Sequence, residues 1–146
     1  MSMAYKLRVN TKERDTAMLT KALLQKRLQH GFEVAMSTKN LLMLDIDIKN
    51  FEWAYGIASS LASYFNCKTL LIETPNGYHI IVLKRFEWSD LKLWIKYFIT
   101  ESERLYIDKA HLEASLRRGY ITLRMNGIAF YEVYPYGGYR AIREGE

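Results

Sequence analysis

Leu41-Leu42-Met43-Leu44-Asp45-Ile46-Asp47-Ile48 reads as a strand that ought to be buried, except that two carboxylates interrupt it. Side chains along a strand alternate faces. Leu42, Leu44, Ile46 and Ile48 therefore point one way, and Asp45 and Asp47 point the other. Two acids at that spacing repel each other, and a divalent cation between them removes the repulsion. Acid pairs that hold Mg2+ or Mn2+ are the usual equipment for phosphoryl or nucleotidyl transfer. The same pattern also occurs on an ordinary solvated sheet face, so the dipeptide spacing alone does not decide between the two.

A second segment bears on the choice. Lys68-Thr69-Leu70-Leu71-Ile72-Glu73 reads as a strand, Thr74-Pro75-Asn76-Gly77 as a turn, and Tyr78-His79-Ile80-Ile81-Val82-Leu83 as the returning strand of a hairpin. His79 lies two residues past the turn glycine. It shares a face with Ile81 and Leu83, while Tyr78, Ile80 and Val82 take the other. A histidine there is either a hydrogen-bonded structural residue or part of a site next to the acidic strand.

The chain has 146 residues, 49% hydrophobic and 25% charged, which suits one folded domain over 1–146 with a real core. The net charge of +5 mildly favours polyanionic partners, because the basic residues are scattered. Eleven tyrosines serve either as core or as stacking platforms. A single cysteine, Cys67, excludes a disulfide framework or a cysteine-based zinc site within one chain. There is no secretory apolar run at the start and none of membrane-spanning length, so a cytoplasmic protein is the expectation.

Along the chain, Thr11 to Gln29 reads as a helix with Ala17, Leu24 and Leu28 on one face, stopped by Gly31. Phe32 to Ser37 is a short strand. Asn50 caps a helix through Phe65, with Ala54, Ile57, Ala58, Leu61, Ala62 and Phe65 on one stripe. A further helix starts near Ser89, carrying Leu91, Trp94, Ile95, Phe98 and Ile99. Leu105 to Asp108 is a short strand, Lys109 to Arg118 a short helix ended by Gly119, and Tyr120 to Met125 a strand. The Tyr- and Gly-rich tail from Ile128 to Glu146 gives no clear assignment. The order of the middle elements, strand, helix, strand, strand, helix, strand, suggests an α+β fold. It would be an RRM-like split βαβ sheet (βαββαβ) with helices on one face, to which the N-terminal helix and the tail are added. The first and third strands would then be neighbours, bringing Asp45, Asp47 and His79 together on an open face.

This constellation resembles the catalytic core of the archaeo-eukaryotic primase superfamily, the primases and primase-polymerases. The similarity runs over about Leu41 to Gly127 and rests on Asp45, Asp47, Thr74, Gly77 and His79. Asp108 looks like the family's third acid, the alternative being that it is simply the N-cap of the helix through Arg118. Thr74-Pro75-Asn76 stands where many members are Ser-rich. No zinc-binding stem or helicase domain is evident. The resemblance implies a metal-dependent nucleotidyltransferase that extends a nucleic-acid 3′-hydroxyl or starts a primer. Asp45, Asp47 and Asp108 would hold two Mg2+ or Mn2+ ions roughly 3.5–4 Å apart. His79, Thr74, Asn76, Gly77 and Arg124 would bind the nucleotide triphosphate. Arg117, Arg118, Lys84 and Arg85 are weaker candidates for backbone contacts. The implied partners are nucleotide triphosphates, a single-stranded DNA template or primer-template, and a helicase or accessory primase subunit.

Rival readings are a non-catalytic RRM-like nucleic-acid-binding protein or accessory primase subunit, and a metal-dependent nuclease. An RRM stacks bases on aromatics of its two central strands. Here those positions carry Asp45, Asp47 and His79, and two bare acids would repel a phosphate backbone.

Overall fold

The computed structural model describes residues 4–9, 33–124 and 127–142; of 4–9, 33–36, 123 and 124 it describes the backbone alone. In order, the elements are β1 (Ala4–Val9), β2 (Glu33–Thr38), β3 (Leu42–Ile46), α1 (Phe51–Phe65), β4 (Thr69–Glu73), β5 (Tyr78–Val82), α2 (Trp88–Leu105), α3 (Lys109–Arg118), β6 (Ile121–Arg124), β7 (Ala129–Val133) and β8 (Tyr139–Ala141). The architecture is α+β. The helix expected over Thr11–Gln29 lies outside the described residues.

Local chemistry explains the helix boundaries. Asn50 accepts a hydrogen bond from the Trp53 N–H at 3.1 Å and so starts α1. Gly119, at φ +82°, ends α3 in the left-handed conformation. The stripe Ala54, Ala58, Leu61 and Ala62 is buried, with Ile57 and Phe65 packed beside it.

Five strands form one antiparallel sheet in the order β3-β5-β4-β7-β8. A smaller sheet has the order β1-β2-β6, with β1 parallel and β6 antiparallel to β2. The expected hairpin is present as β4–β5, and β3 and β5 are neighbours as expected, with Asp45 opposite His79. α1 covers the face of Leu42, Leu44 and Ile46. The Thr69 hydroxyl donates to the Ala58 carbonyl, and the Phe51 ring meets Tyr78 and Tyr131. α2 lies against α1 through Phe65 and Trp94, whose centroids are 5.1 Å apart.

Four features depart from the sequence reading. The strand expected over Leu105–Asp108 is a single bridge, Ile107 to Ile46, because α2 continues to Leu105. That bridge occupies the edge of β3, and β6 pairs with β2 instead of extending the larger sheet. The unassigned tail supplies β7 and β8. Finally, the face carrying Asp45 and His79 is largely closed. Met43, Leu70, Ile72, Ile81 and Phe130 make it apolar and are all at most 3% exposed. Leu112 of α3 and Ile121 of β6 join the same core. Such a surface is too apolar to leave in water.

Candidate metal centre

One corner of the larger sheet collects the acids. Asp45 is the fourth residue of β3, and Asp47 follows the strand's end. The Ile46–Ile107 bridge continues the antiparallel pattern past that end: the Asp47 N–H donates to the Tyr106 carbonyl at 2.7 Å, and the Asp108 N–H donates to the Asp45 carbonyl at 2.8 Å. In this register Asp108 is opposite Asp45, and Asp47 is two residues along on the same face. One carboxylate oxygen from each of Asp45, Asp47 and Asp108 lies within 4.8 Å of the others. The two sequence readings of Asp108 prove compatible. Its Oδ1 accepts from the His111 N–H at 3.2 Å, capping α3, and the residue also belongs to the acidic group.

His79 completes the corner. It is 8% exposed, and its Nε2 is 3.6 Å from Asp45 Oδ1. Burial and the neighbouring Asp45 and Asp108 charges raise the Asp47 carboxyl above its ordinary range, and His79 opposes them. Asp47 is exposed as a whole residue, so solvent screens part of these effects.

The turn packs directly on this corner. A Cβ at Gly77 would overlap the Ile46 carbonyl oxygen, so only glycine lets the turn lie against the end of β3. The Gly77 N–H donates to the Thr74 hydroxyl at 3.1 Å, and the Thr74 N–H donates to the Gly77 carbonyl at 2.9 Å. Lys49 ties the turn to the sheet by donating to Glu73 at 2.7 Å and to the Thr74 carbonyl. Asn76 is exposed at the tip. Asp45, Asp47, Asp108, His79, Thr74, Asn76 and Gly77 thus share one corner. Arg124 is described only as a backbone position, opposite Ala35 on β6; its side chain lies outside the described residues. Arg117 and Arg118 are exposed at the end of α3.

His111 was not foreseen. Its Nε2 is buried with no hydrogen-bond partner among the described residues. Burial pushes its pKa down, while the charges of Asp45 and Asp108 act to raise it. A buried imidazole nitrogen left unpaired costs about 1–3 kcal/mol, so a polar partner there would be stabilising. The sequence signal was the Asp108-x-x-His111 spacing, which places a histidine in the first turn of a helix whose cap is itself an acid.

The donor set fits a hard divalent cation. Three carboxylates offer oxygen ligands in a partly exposed corner, all within 4.8 Å of one another, and the buried His111 Nε2 has no hydrogen-bond partner among the described residues. No family model, no curated protein and no solved structure matches the chain.

Proposed function

We propose that this protein is a metal-dependent nucleotidyltransferase of the primase-polymerase type, adding nucleotides to a nucleic-acid 3′-hydroxyl or starting a primer on a template. The observation that carries the reading is the convergence of Asp45, Asp47 and Asp108 beside His79 and the Thr74–Gly77 turn. The resemblance to the archaeo-eukaryotic primase superfamily predicts this grouping. The strand order β3-β5-β4 with α1 joining β3 to β4 is the one an RRM-like split βαβ core would have.

In this reading Asp45, Asp47 and Asp108 hold Mg2+ or Mn2+. When bound, the ion supplies charge neutralisation at the triphosphate and lowers the pKa of the attacking hydroxyl. The chain's own groups do the positioning. The backbone bonds around Ile46 and Ile107 fix the three carboxylates before any ligand arrives, so little reorganisation is left to make on binding. His79, held opposite Asp45, donates to the phosphates of the incoming nucleotide. The Thr74 hydroxyl accepts from Gly77 and still has its own proton to give to a phosphate oxygen. The Asn76 amide sits at the rim of the same corner. His111, close enough to feel the charges of Asp45 and Asp108, would add a neutral imidazole to the surroundings of the acids.

The test is a primer-extension and dinucleotide-synthesis assay with Mg2+ or Mn2+, using both dNTPs and NTPs. Metal-dependent product that is lost in Asp45→Asn and Asp47→Asn supports the reading. Strand cleavage without triphosphate identifies a nuclease instead. Nucleic-acid binding unaffected by metal, with no product, identifies a non-catalytic binding module or an accessory subunit.

A further inference from the structure

The tyrosine-rich tail is not used by the metal centre. It forms the hairpin β7–β8 with the tip Tyr134-Pro135-Tyr136-Gly137-Gly138 at the end of the sheet opposite to the Thr74–Gly77 turn. The tip is fixed to α1 at two points. The Ser63 hydroxyl donates to the Pro135 carbonyl at 2.8 Å, and the Gly138 N–H donates to the Tyr55 hydroxyl at 3.0 Å. Inside the tip, the Tyr134 N–H donates to the Gly138 carbonyl, and the Gly137 N–H donates to the Tyr134 carbonyl. Gly137 and Gly138 adopt φ +98° and +85°, which only glycine takes without strain.

This anchored tip holds a large ring out in water. Tyr136 is 84% exposed, the most exposed of the large hydrophobic side chains among the described residues. Its ring is parallel to that of Tyr134, with centroids 5.4 Å apart. The Lys68 ammonium lies 5.7 Å from the Tyr134 centroid on the neighbouring strand end. Lys68 and Arg140 both pair with Glu132, which leaves this group of three charges net positive. A Cβ on Gly137 or Gly138 would meet nothing within 4 Å, so the tip next to the exposed Tyr136 is uncrowded. A flat, rigid, uncovered aromatic with a cation nearby and room alongside it is what an unstacked base requires. A pair of stacked rings followed by two glycines offers less apolar surface than the patches that protein partners cover.

We propose that the Tyr134–Tyr136 tip is a stacking platform for single-stranded nucleic acid, with Tyr136 as the base-contacting residue. The identification of the partner rests on the nucleotidyl-transfer reading, which makes a single strand the natural ligand of this basic chain. The tip lies three strand spacings across and about four residues along the sheet from the acidic corner, roughly 20 Å. A strand reaching both would extend over roughly six stacked nucleotides.

The test is fluorescence anisotropy of the full chain with a labelled oligo(dT) of about twelve nucleotides, in EDTA so that the metal centre does not contribute. Tyr136→Ala should bind roughly tenfold more weakly, and Tyr136→Trp should bind as well as the native chain or better. In primer extension with Mn2+, Tyr136→Ala should raise the template KM and leave kcat unchanged. Equal affinity of Tyr136→Ala and the native chain overturns the proposal. So does equal loss in the Ala and Trp variants, or capture of a soluble polysaccharide in place of oligo(dT). The two readings fail separately: Tyr136-dependent oligo(dT) binding without any transfer removes the enzymatic reading alone, and transfer with Tyr136-independent binding removes the stacking platform alone.

Discussion

The two margins of the five-stranded sheet both carry buried or half-buried carboxylates, and they treat them oppositely. At the β7–β8 margin Glu132 is 8% exposed and accepts from Lys68 at 3.1 Å and Arg140 at 2.8 Å. Burial alone would raise its pKa, but the two hydrogen bonds and charges outweigh it, and the net shift is downward. At the β3 margin one carboxylate oxygen from each of Asp45, Asp47 and Asp108 lies within 4.8 Å of the others, with His79 beside Asp45, and the Asp47 pKa shifts upward. An acid whose charge is met by neighbouring cations has a sufficient structural reason to exist. Burial and the mutual repulsion of three acids gathered this closely raise the Asp47 pKa, and a cation bound among them would relieve that repulsion.

The comparison can be tested from both margins, and the largest effects lie at the acidic one. Asp45→Asn or Asp47→Asn should lower metal-dependent transfer by more than about a hundredfold, the upper range for losing a group that only supports a ligand. Circular dichroism should show the fold retained, and the thermal midpoint should be equal or slightly raised as repulsion is relieved. Unfolding of both variants would make these acids structural. Asp108→Ser splits its two roles. Serine caps a helix about as well as aspartate, so stability should hold within about 0.5 kcal/mol while transfer is lost. Full activity in that variant would leave Asp108 as a cap alone.

Gly77→Ala should destabilise by about 1–3 kcal/mol, because the added methyl displaces the turn from the Ile46 carbonyl. Urea denaturation measures it, and a neutral result would mean the turn has other places to rest. At the opposite margin Glu132→Gln should cost about 1–2 kcal/mol and leave transfer per folded molecule unchanged. The sign of its pH dependence follows from the lowered pKa. The stabilisation is complete above the ordinary carboxyl value of 4.5 and is lost as pH falls below it through the folded-state value. Denaturation midpoints of native chain and variant should therefore converge in acid. The smallest effect is that of the ion itself: Mn2+ should raise the native thermal midpoint by a few degrees, roughly what 1 kcal/mol yields at this size, and leave Asp45→Asn unmoved.

What the sequence disclosed follows from the range of the interactions involved. The period-two pattern was enough to place Asp45 and Asp47 on one face. The turn chemistry at Asn76-Gly77 set the hairpin, and the neighbouring of β3 and β5 followed. Asn50 announced α1. The pairing of β7 with β4 joins residues about sixty positions apart, and Ala129-Phe130-Tyr131-Glu132-Val133 carries no local mark of its partner. The closure of the Asp45 face depended on Leu112 and Ile121, whose destination is set by the competition for the β3 edge. That edge was lost to a single bridge at Ile107, too short to have a sequence signature. For the same reason the place of His111 was hidden: it feels the charges of the acids because Ile107 brings the start of α3 to the strand.

The Ile107 bridge also bears on how the molecule behaves among its own kind. A bare strand edge is a template on which another chain can add a strand, and long flat edges seed aggregates. Here one margin of the larger sheet is already engaged at Asp45 and Asp47 by the segment from Tyr106 to Asp108. The other margin, β8, is three residues long and has Arg140 at its centre. Intermolecular strand addition therefore finds little purchase on this sheet, even though nearly half of the chain is hydrophobic.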